Sequence, residues 1–226
     1  MKARRPLRRP AAVIFDMDGL MLDTEVLGPQ TWRDAAAAVG VDFDLRLLPA
    51  MIGRNYRDTR VFLREHYGPD YPVEQLTAAC LTSFDAIVAR EGIAQKPGLR
   101  ELLDWLELEN VARAVATSTR RDRAVAQLTA QGLFARFATL VGGNEVAQGK
   151  PEPDIFLLAA QRLDVAAADC VVLEDSEPGV RAALAAGMMP IMVPDLHGPS
   201  ESLLAREPLV LPSLAAVREH FALLPH

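Results

Sequence analysis

Two acids two residues apart, Asp16 and Asp18, follow an apolar run in the stretch VIFDMDGLMLDTE (13–25), and Asp23 and Glu25 come soon after. Carboxylates this close repel one another at a shared site unless something positive sits among them. Other polar groups also close apolar runs: Thr117-Ser118-Thr119 ends ARAVAT, and Glu174-Asp175 ends CVVLED. Lys150 follows ATLVGG in the loop GKPEPD, in a chain whose only other lysines are Lys2 and Lys96. Asp16, Asp18, Glu174, Asp175, a hydroxyl triplet and a rare lysine would make a charge-handling site, if the fold brings them together.

The elements that must do so are legible as pattern. Apolar runs at 11–15, 112–117, 138–143, 170–175 and 189–194 are separated by helical patterns, the order of an α/β chain. They are apolar throughout rather than alternating, as for parallel strands covered on both faces. PLVLPSL (208–214) reads as an edge strand. From about Thr24 to Gln95 the pattern is helical, in TWRDAAAAVG, YRDTRVFLREHYG and VEQLTAACLTSFDAIVAREG, with Gly40, Gly68 and Gly92 as stops. The expected architecture is α/β: a doubly wound, Rossmann-like parallel sheet core from 1–23 and 95–226, with an inserted α-helical domain over 24–94. Such sheets bind ligands beyond the carboxyl ends of their strands, where the groups above fall.

Composition narrows the classes. A chain of 226 residues, 50% hydrophobic and 24% charged, suits one core with a smaller inserted domain. A net charge of −6 argues against a general nucleic-acid binder, which needs a basic face. No apolar run approaches the ~18 residues that span a membrane. The basic start MKARRPLRRP is followed only by AAVIF before Asp16, too short for a signal peptide, and reads as a solvated tail. Cys80 and Cys170 lie far apart without metal spacing and read as two buried thiols of a cytosolic protein. His66, His197, His220 and His226 show no ligand or triad spacing and receive no role. The expectation is a cytoplasmic protein, a monomer or weak dimer, whose partner is a small molecule and neither nucleic acid nor membrane.

In their order, DMDG, TST, GKPEPD and LEDS resemble the four motifs of the haloacid dehalogenase superfamily. The early insert resembles its α-helical cap, as in the branch of β-phosphoglucomutase-like enzymes and small-metabolite phosphatases. The likeness runs from Val13 to Pro194. It implies that Asp16 is a nucleophile forming an aspartyl-phosphate, and that Asp18 protonates the leaving oxygen and later deprotonates the attacking water. It also implies Mg²⁺ held by Asp16, the Asp18 backbone carbonyl and Asp175, with Glu174 in or near the coordination sphere. Hard oxygen donors and a phosphate suit that ion. Lys150 would balance the charges of nucleophile and phosphate, while Thr117 and the Ser118 N–H would hydrogen-bond the phosphoryl group. Thr24 would either orient Asp18 or cap a helix. In IGRNYRD (52–58), Arg54 and Asn55 would either bind the distal end of the substrate or be solvated helix-end residues.

These groups match the difficulty of the reaction. Phosphate monoester hydrolysis needs up to ~10²¹-fold acceleration, of which general acid–base work supplies ~10²–10⁴. Covalent catalysis and charge stabilisation must carry most of the remainder.

Within the family, a Mg²⁺-dependent phosphatase of a sugar phosphate or nucleotide-like monoester fits best. Hydrolytic dehalogenases generally lack the second acid and need no Mg²⁺. A Schiff-base phosphonatase needs a cap lysine, and none occurs between Asp18 and Lys96. A sugar phosphomutase is the alternative: Arg54 or Arg57 could hold its second phosphate, but resembling mutases carry a histidine where this chain has Gly28. A phospho-ligand-binding protein without turnover, the remote alternative, would be expected to have lost Asp16 or Asp18.

Overall fold

The computed structural model describes residues 9–225, so the basic start up to Arg8 lies outside the described residues. After β1 (Ala12–Phe15) the chain enters four helices, α1 (Gly28–Val39), α2 (Leu48–Met51), α3 (Tyr56–Tyr67) and α4 (Val73–Glu91). They bury their own apolar cluster, including Ala35, Met51, Leu63, Val73 and Leu76, with Trp32 and Phe43 packed against it. Gly40, Gly68 and Gly92 end α1, α3 and α4, each with positive φ and its N–H bonded to the last turn. The chain leaves and rejoins the core side by side. Asp23 N–H donates to Ala94 O and Lys96 N–H to Met21 O, both at 2.9 Å, around an antiparallel bridge of Leu22 with Gln95.

The core continues through α5 (Leu99–Leu108), β2 (Ala112–Thr117), α6 (Arg121–Ala130), β3 (Thr139–Gly142), α7 (Asp154–Leu163), β4 (Cys170–Glu174), α8 (Glu177–Ala185), β5 (Met189–Met192), α9 (Glu201–Leu204), β6 (Leu209–Val210) and α10 (Leu214–Ala222). The strands form one parallel sheet in the order β3-β2-β1-β4-β5-β6. Successive side chains of a strand point to opposite faces, and here both faces are covered. Val13, Phe15, Val115, Leu173 and Ile191 pack with α5, α6 and α10 on one side. Ile14, Ala114, Ala116, Val141 and Val172 pack with α7 and α8 on the other. Because β1 is flanked by β2 and β4, the sheet order reverses there and leaves a crevice beyond its carboxyl end.

Three expectations need correction. Of the run 208–214 only Leu209 and Val210 pair, with β5. Ser213 instead caps α10, its hydroxyl oxygen accepting from Ala216 N–H, and Leu214, Val217 and Phe221 bury one face of that helix. The apolar count in that run belongs to two elements. α10 itself was not foreseen, although a Ser before residues spaced three and four apart is a helix-start signal. Cys170 is buried, but Cys80 is only half-buried, and both are free thiols. Among the described residues no helix is long and apolar enough to cross a membrane.

Candidate active site

Asp16 is the first residue beyond β1 and is buried. Its N–H donates to Leu173 O at 3.0 Å, so the sheet register carries it level with Glu174. Lys150, on the connection between β3 and α7, enters from the neighbouring edge. Its Nζ donates to Asp16 Oδ1 and to Glu174 Oε1, each at 2.5 Å, and to Ala116 O at 3.3 Å. Burial pulls the Lys150 pKa down, but the charges of Asp16 and Glu174 more than reverse this and hold it above its ordinary value. Burial pushes Asp16 well above the usual carboxylate range; Lys150 pulls it back, while Glu174 and Asp18 push it further up.

Asp18, two residues on, is gripped by hydroxyls. Thr24 Oγ1 donates to its Oδ1 at 3.0 Å, while Thr119 Oγ1 and Thr117 Oγ1 donate to Oδ2 at 2.8 and 3.2 Å. Thr24 makes no side-chain capping bond, so of its two expected tasks the geometry has it facing Asp18. Thr119 N–H donates in turn to Thr117 Oγ1 at 3.0 Å, closing the turn after β2.

Glu174 is buried with both oxygens engaged: Oε1 by Lys150, Oε2 by the N–H and hydroxyl of Ser176 at 3.2 and 2.8 Å. Asp175 lies against Gly19. A Cβ at position 19 would come within 2.4 Å of Asp175 Oδ2, and its φ of +80° is unfavourable for other residues, so glycine is required twice over. Burial raises the Asp175 pKa well above its ordinary value, and the charges of Glu174, Asp16 and Glu25 raise it further.

Asp16, Glu174 and Asp175 bring carboxylate oxygens within 4.8 Å of one another. One lysine stands among these three carboxylates, so the group keeps excess negative charge when all are ionised. A buried all-oxygen donor set with excess negative charge suits a hard dication, so these residues could hold one.

A cavity of about 390 Å³ opens over these groups. Its floor includes Asp16, Asp18, Thr117, Ser118 and Asp175, and its roof is formed by the insert, with Trp32, Leu45, Leu48, Met51 and Ile52. Arg54 reaches this cavity, its Nε donating to Ala50 O at 2.8 Å and its guanidinium over the Phe62 ring at 4.9 Å. Asn55 does not line it. Its Oδ1 accepts from Asp58 N–H at 2.9 Å and its Nδ2 donates to Asp58 Oδ2 at 2.8 Å, so the side chain caps α3 instead of facing substrate. Arg57 pairs with Asp58 at 3.1 Å, also away from the cavity. Ser118 turns its hydroxyl to the insert, donating to Gly53 O at 2.7 Å.

Two ionisable lining residues had no assigned task. Glu25 sits in the wall with its pKa raised to about 7, chiefly by burial and then by the charges of Asp18 and Asp195. His197 joins it from the segment after β5. The strand-end argument used for β1, β2 and β4 would have pointed to that segment had it been carried to β5.

A family profile described as haloacid dehalogenase-like hydrolase matches residues 10–187. The chain is 34% identical over 177 residues to the phosphorylated carbohydrates phosphatase of Thermotoga maritima, covering 78% of this chain and 82% of that protein. It is 30% identical over 200 residues to the β-phosphoglucomutase of Bacillus subtilis, covering 80% and 82%. In three dimensions it is similar to CbbY from Rhodobacter sphaeroides in complex with phosphate, with a TM-score of 0.77 at 29% identity over 92% of this chain and 96% of that one.

Proposed function

This chain belongs to the haloacid dehalogenase-like hydrolases, and on that premise we propose a Mg²⁺-dependent phosphatase of a small phosphorylated metabolite that works through a phosphoryl group carried on Asp16. The observation that carries the reading is the Lys150 ammonium between Asp16 and Glu174, with Asp18 held by three hydroxyls beside them. Asp16 attacks phosphorus, the bond to the leaving oxygen breaks, and Asp18 gives that oxygen its proton. Asp18 then takes a proton from the water that attacks the same phosphorus, which frees the Asp16 carboxylate and inorganic phosphate. Lys150 stays charged throughout, offsetting the negative charge at Asp16 and on the phosphoryl group, while Thr117 and the Ser118 N–H orient that group.

Mg²⁺, when bound, supplies the charge that lets a carboxylate approach a phosphate dianion. Asp16, Asp175 and the Asp18 backbone carbonyl would hold it, with Glu174 beside them. The insert over 24–94 serves as a cap that excludes water during transfer.

Hydrolysis is favoured over phosphomutase chemistry by the cavity wall. Gly28 lines it, and nothing lies within 4 Å of where a Cβ at that position would be, so no side chain there can delay the attack of water. The test is phosphate release from a panel of sugar phosphates and nucleoside monophosphates, in Mg²⁺ and in EDTA. β-Glucose 1-phosphate is also assayed for glucose 6-phosphate. Release that needs the metal and is lost in a folded Asp16→Asn variant is expected. Glucose 6-phosphate without free phosphate would make the protein a mutase, and near-normal release by Asp16→Asn would remove the mechanism.

A further inference from the structure

A single segment of the insert, 52–58, rests on three core loops, each next to a residue of the site. Ser118, after Thr117, donates to Gly53 O at 2.7 Å. Ser176, after Asp175, lies so near Gly53 that a Cβ there would be 2.8 Å from its Oγ. Gly149, before Lys150, faces Asn55: a Cβ at position 149 would stand 2.1 Å from Asn55 Nδ2 and 2.8 Å from Asp58 Oδ2.

We propose that Asn55 is a positioning residue for Lys150, and that the insert, when docked, seats the catalytic lysine by pressing the capped start of α3 against Gly149. The inference rests on the role given to Lys150 above. Asn55 suits the task because it is buried and held by two hydrogen bonds to Asp58, so it presents a fixed shape. Gly149 is itself buried, and its φ lies outside the left-handed region, so the turn does not demand glycine; the approach of Asn55 does. Lys150 must meet two carboxylates at 2.5 Å, which leaves little tolerance for a loop that shifts. Undocked, the loop would lose this support and the lysine its aim.

The test is a double-mutant cycle of Gly149→Ala and Asn55→Ser, in Mg²⁺, with p-nitrophenyl phosphate or the best compound of the panel above. Serine keeps a good helix cap but ends one atom short of the asparagine amide. Gly149→Ala should lower kcat by about 100-fold, the scale of a displacement near 1 Å, and change KM little. Asn55→Ser alone should lower kcat about three- to tenfold at an unchanged melting temperature. The double variant should recover at least about tenfold over Gly149→Ala, because losing the amide removes the 2.1 Å approach and releases Asp58 Oδ2, which it holds, to move off the methyl group.

A double variant no faster than Gly149→Ala, or a Gly149→Ala enzyme at the wild-type rate, would overturn the proposal. Should Gly149→Ala fail to fold, Asn55→Ser decides alone, and an unchanged kcat there overturns it. If the unaltered protein releases no phosphate from any compound, the phosphatase reading falls and takes this inference with it. A flat cycle in an active enzyme removes only the inference.

Discussion

Lys150 and Lys96 are built alike and placed differently. Each ammonium stands between two carboxylates: Lys150 between Asp16 and Glu174, both at 2.5 Å, and Lys96 between Asp23 at 2.7 Å and Asp195 at 2.5 Å. The Lys150 side chain is 1% exposed behind Asp16, which lines the cavity, whereas that of Lys96 is 19% exposed where the two linkers of the insert run side by side. Both are held above the ordinary lysine pKa by their carboxylates, against burial. The difference lies in what surrounds them. Around Lys150 two further acids, Asp18 and Asp175, crowd the paired ones in a water-poor crevice, an arrangement poor for stability and suited to handling phosphate. Lys96 ties both linkers to the segment after β5, where solvent softens the cost of desolvation, and so it works as a staple.

The sharpest way to break this contrast is Lys150→Met. It should cut phosphate release by about 10³-fold or more, the scale of losing one pre-organised charge at a transition state. Because it strands Asp16 and Glu174 without their cation, it should also cost about 3–5 kcal/mol in urea unfolding of the metal-free protein. Near-normal release by this variant would show that the buried lysine is structural, and the two clamps would then differ only in exposure.

How far this contrast could be read from sequence depends on distance along the chain. The apolar runs ending at Phe15, Thr117 and Glu174 announce strand ends, because strands buried on both faces need uniform apolarity and stop where polar groups begin. The four motif segments therefore fell at one sheet edge, and the scarcity of lysine drew attention to Lys150. What was illegible was pairing between segments with no pattern of their own. Lys96 meets Asp195 across 99 positions of sequence, and Asn55 meets Gly149 across a docked insert; neither contact leaves a period or a spacing. Asn55 was expected either at the substrate or in solvent, because IGRNYRD falls where the cap of the resembling family presents a substrate loop; only the packed insert reveals its burial. Leu214 was absorbed into a strand run because apolar residues close to a strand carry no mark of the turn that separates them.

Glu25 sharpens the comparison, because the charges of both clusters act on it. Burial, then Asp18 and Asp195, raise its pKa from 4.5 to about 7, while Lys96 lowers it. The folded protein thus holds this proton more tightly than the unfolded chain does. Below the unfolded value both states are protonated and there is no penalty. Stability falls as pH rises through the window to about 7, and above that the cost of the buried charge is complete. In EDTA, Glu25→Gln should therefore melt at nearly the wild-type temperature at pH 4, below the unfolded value. At pH 8 it should melt about 6–12 °C higher, as a gain of roughly 3 kcal/mol, the worth of a shift from 4.5 to about 7, would give in a chain of this length. An equal gain at both pH values would mean that the carboxyl is not titrating between them.

The smallest effect is expected at Lys96→Met. Its ion pairs are partly screened by solvent, and such pairs contribute about 1 kcal/mol at most, so melting should fall by about 2–4 °C and the gap should narrow in high salt. The rate of phosphate release should stay within about threefold of wild type, since Lys96 touches neither Asp16 nor Asp18. Losing Lys96 also removes a charge that lowers the Glu25 pKa, so the variant should lose stability more steeply between pH 5 and 8 than the wild type does. Adding Glu25→Gln should abolish that extra slope while leaving the salt-sensitive loss in place. The two parts of the effect, staple and field, are thereby separated by experiment. If Lys96→Met instead lost activity on the scale of Lys150→Met, the paired linkers would belong to the catalytic machinery, and burial would not be what divides the two lysines.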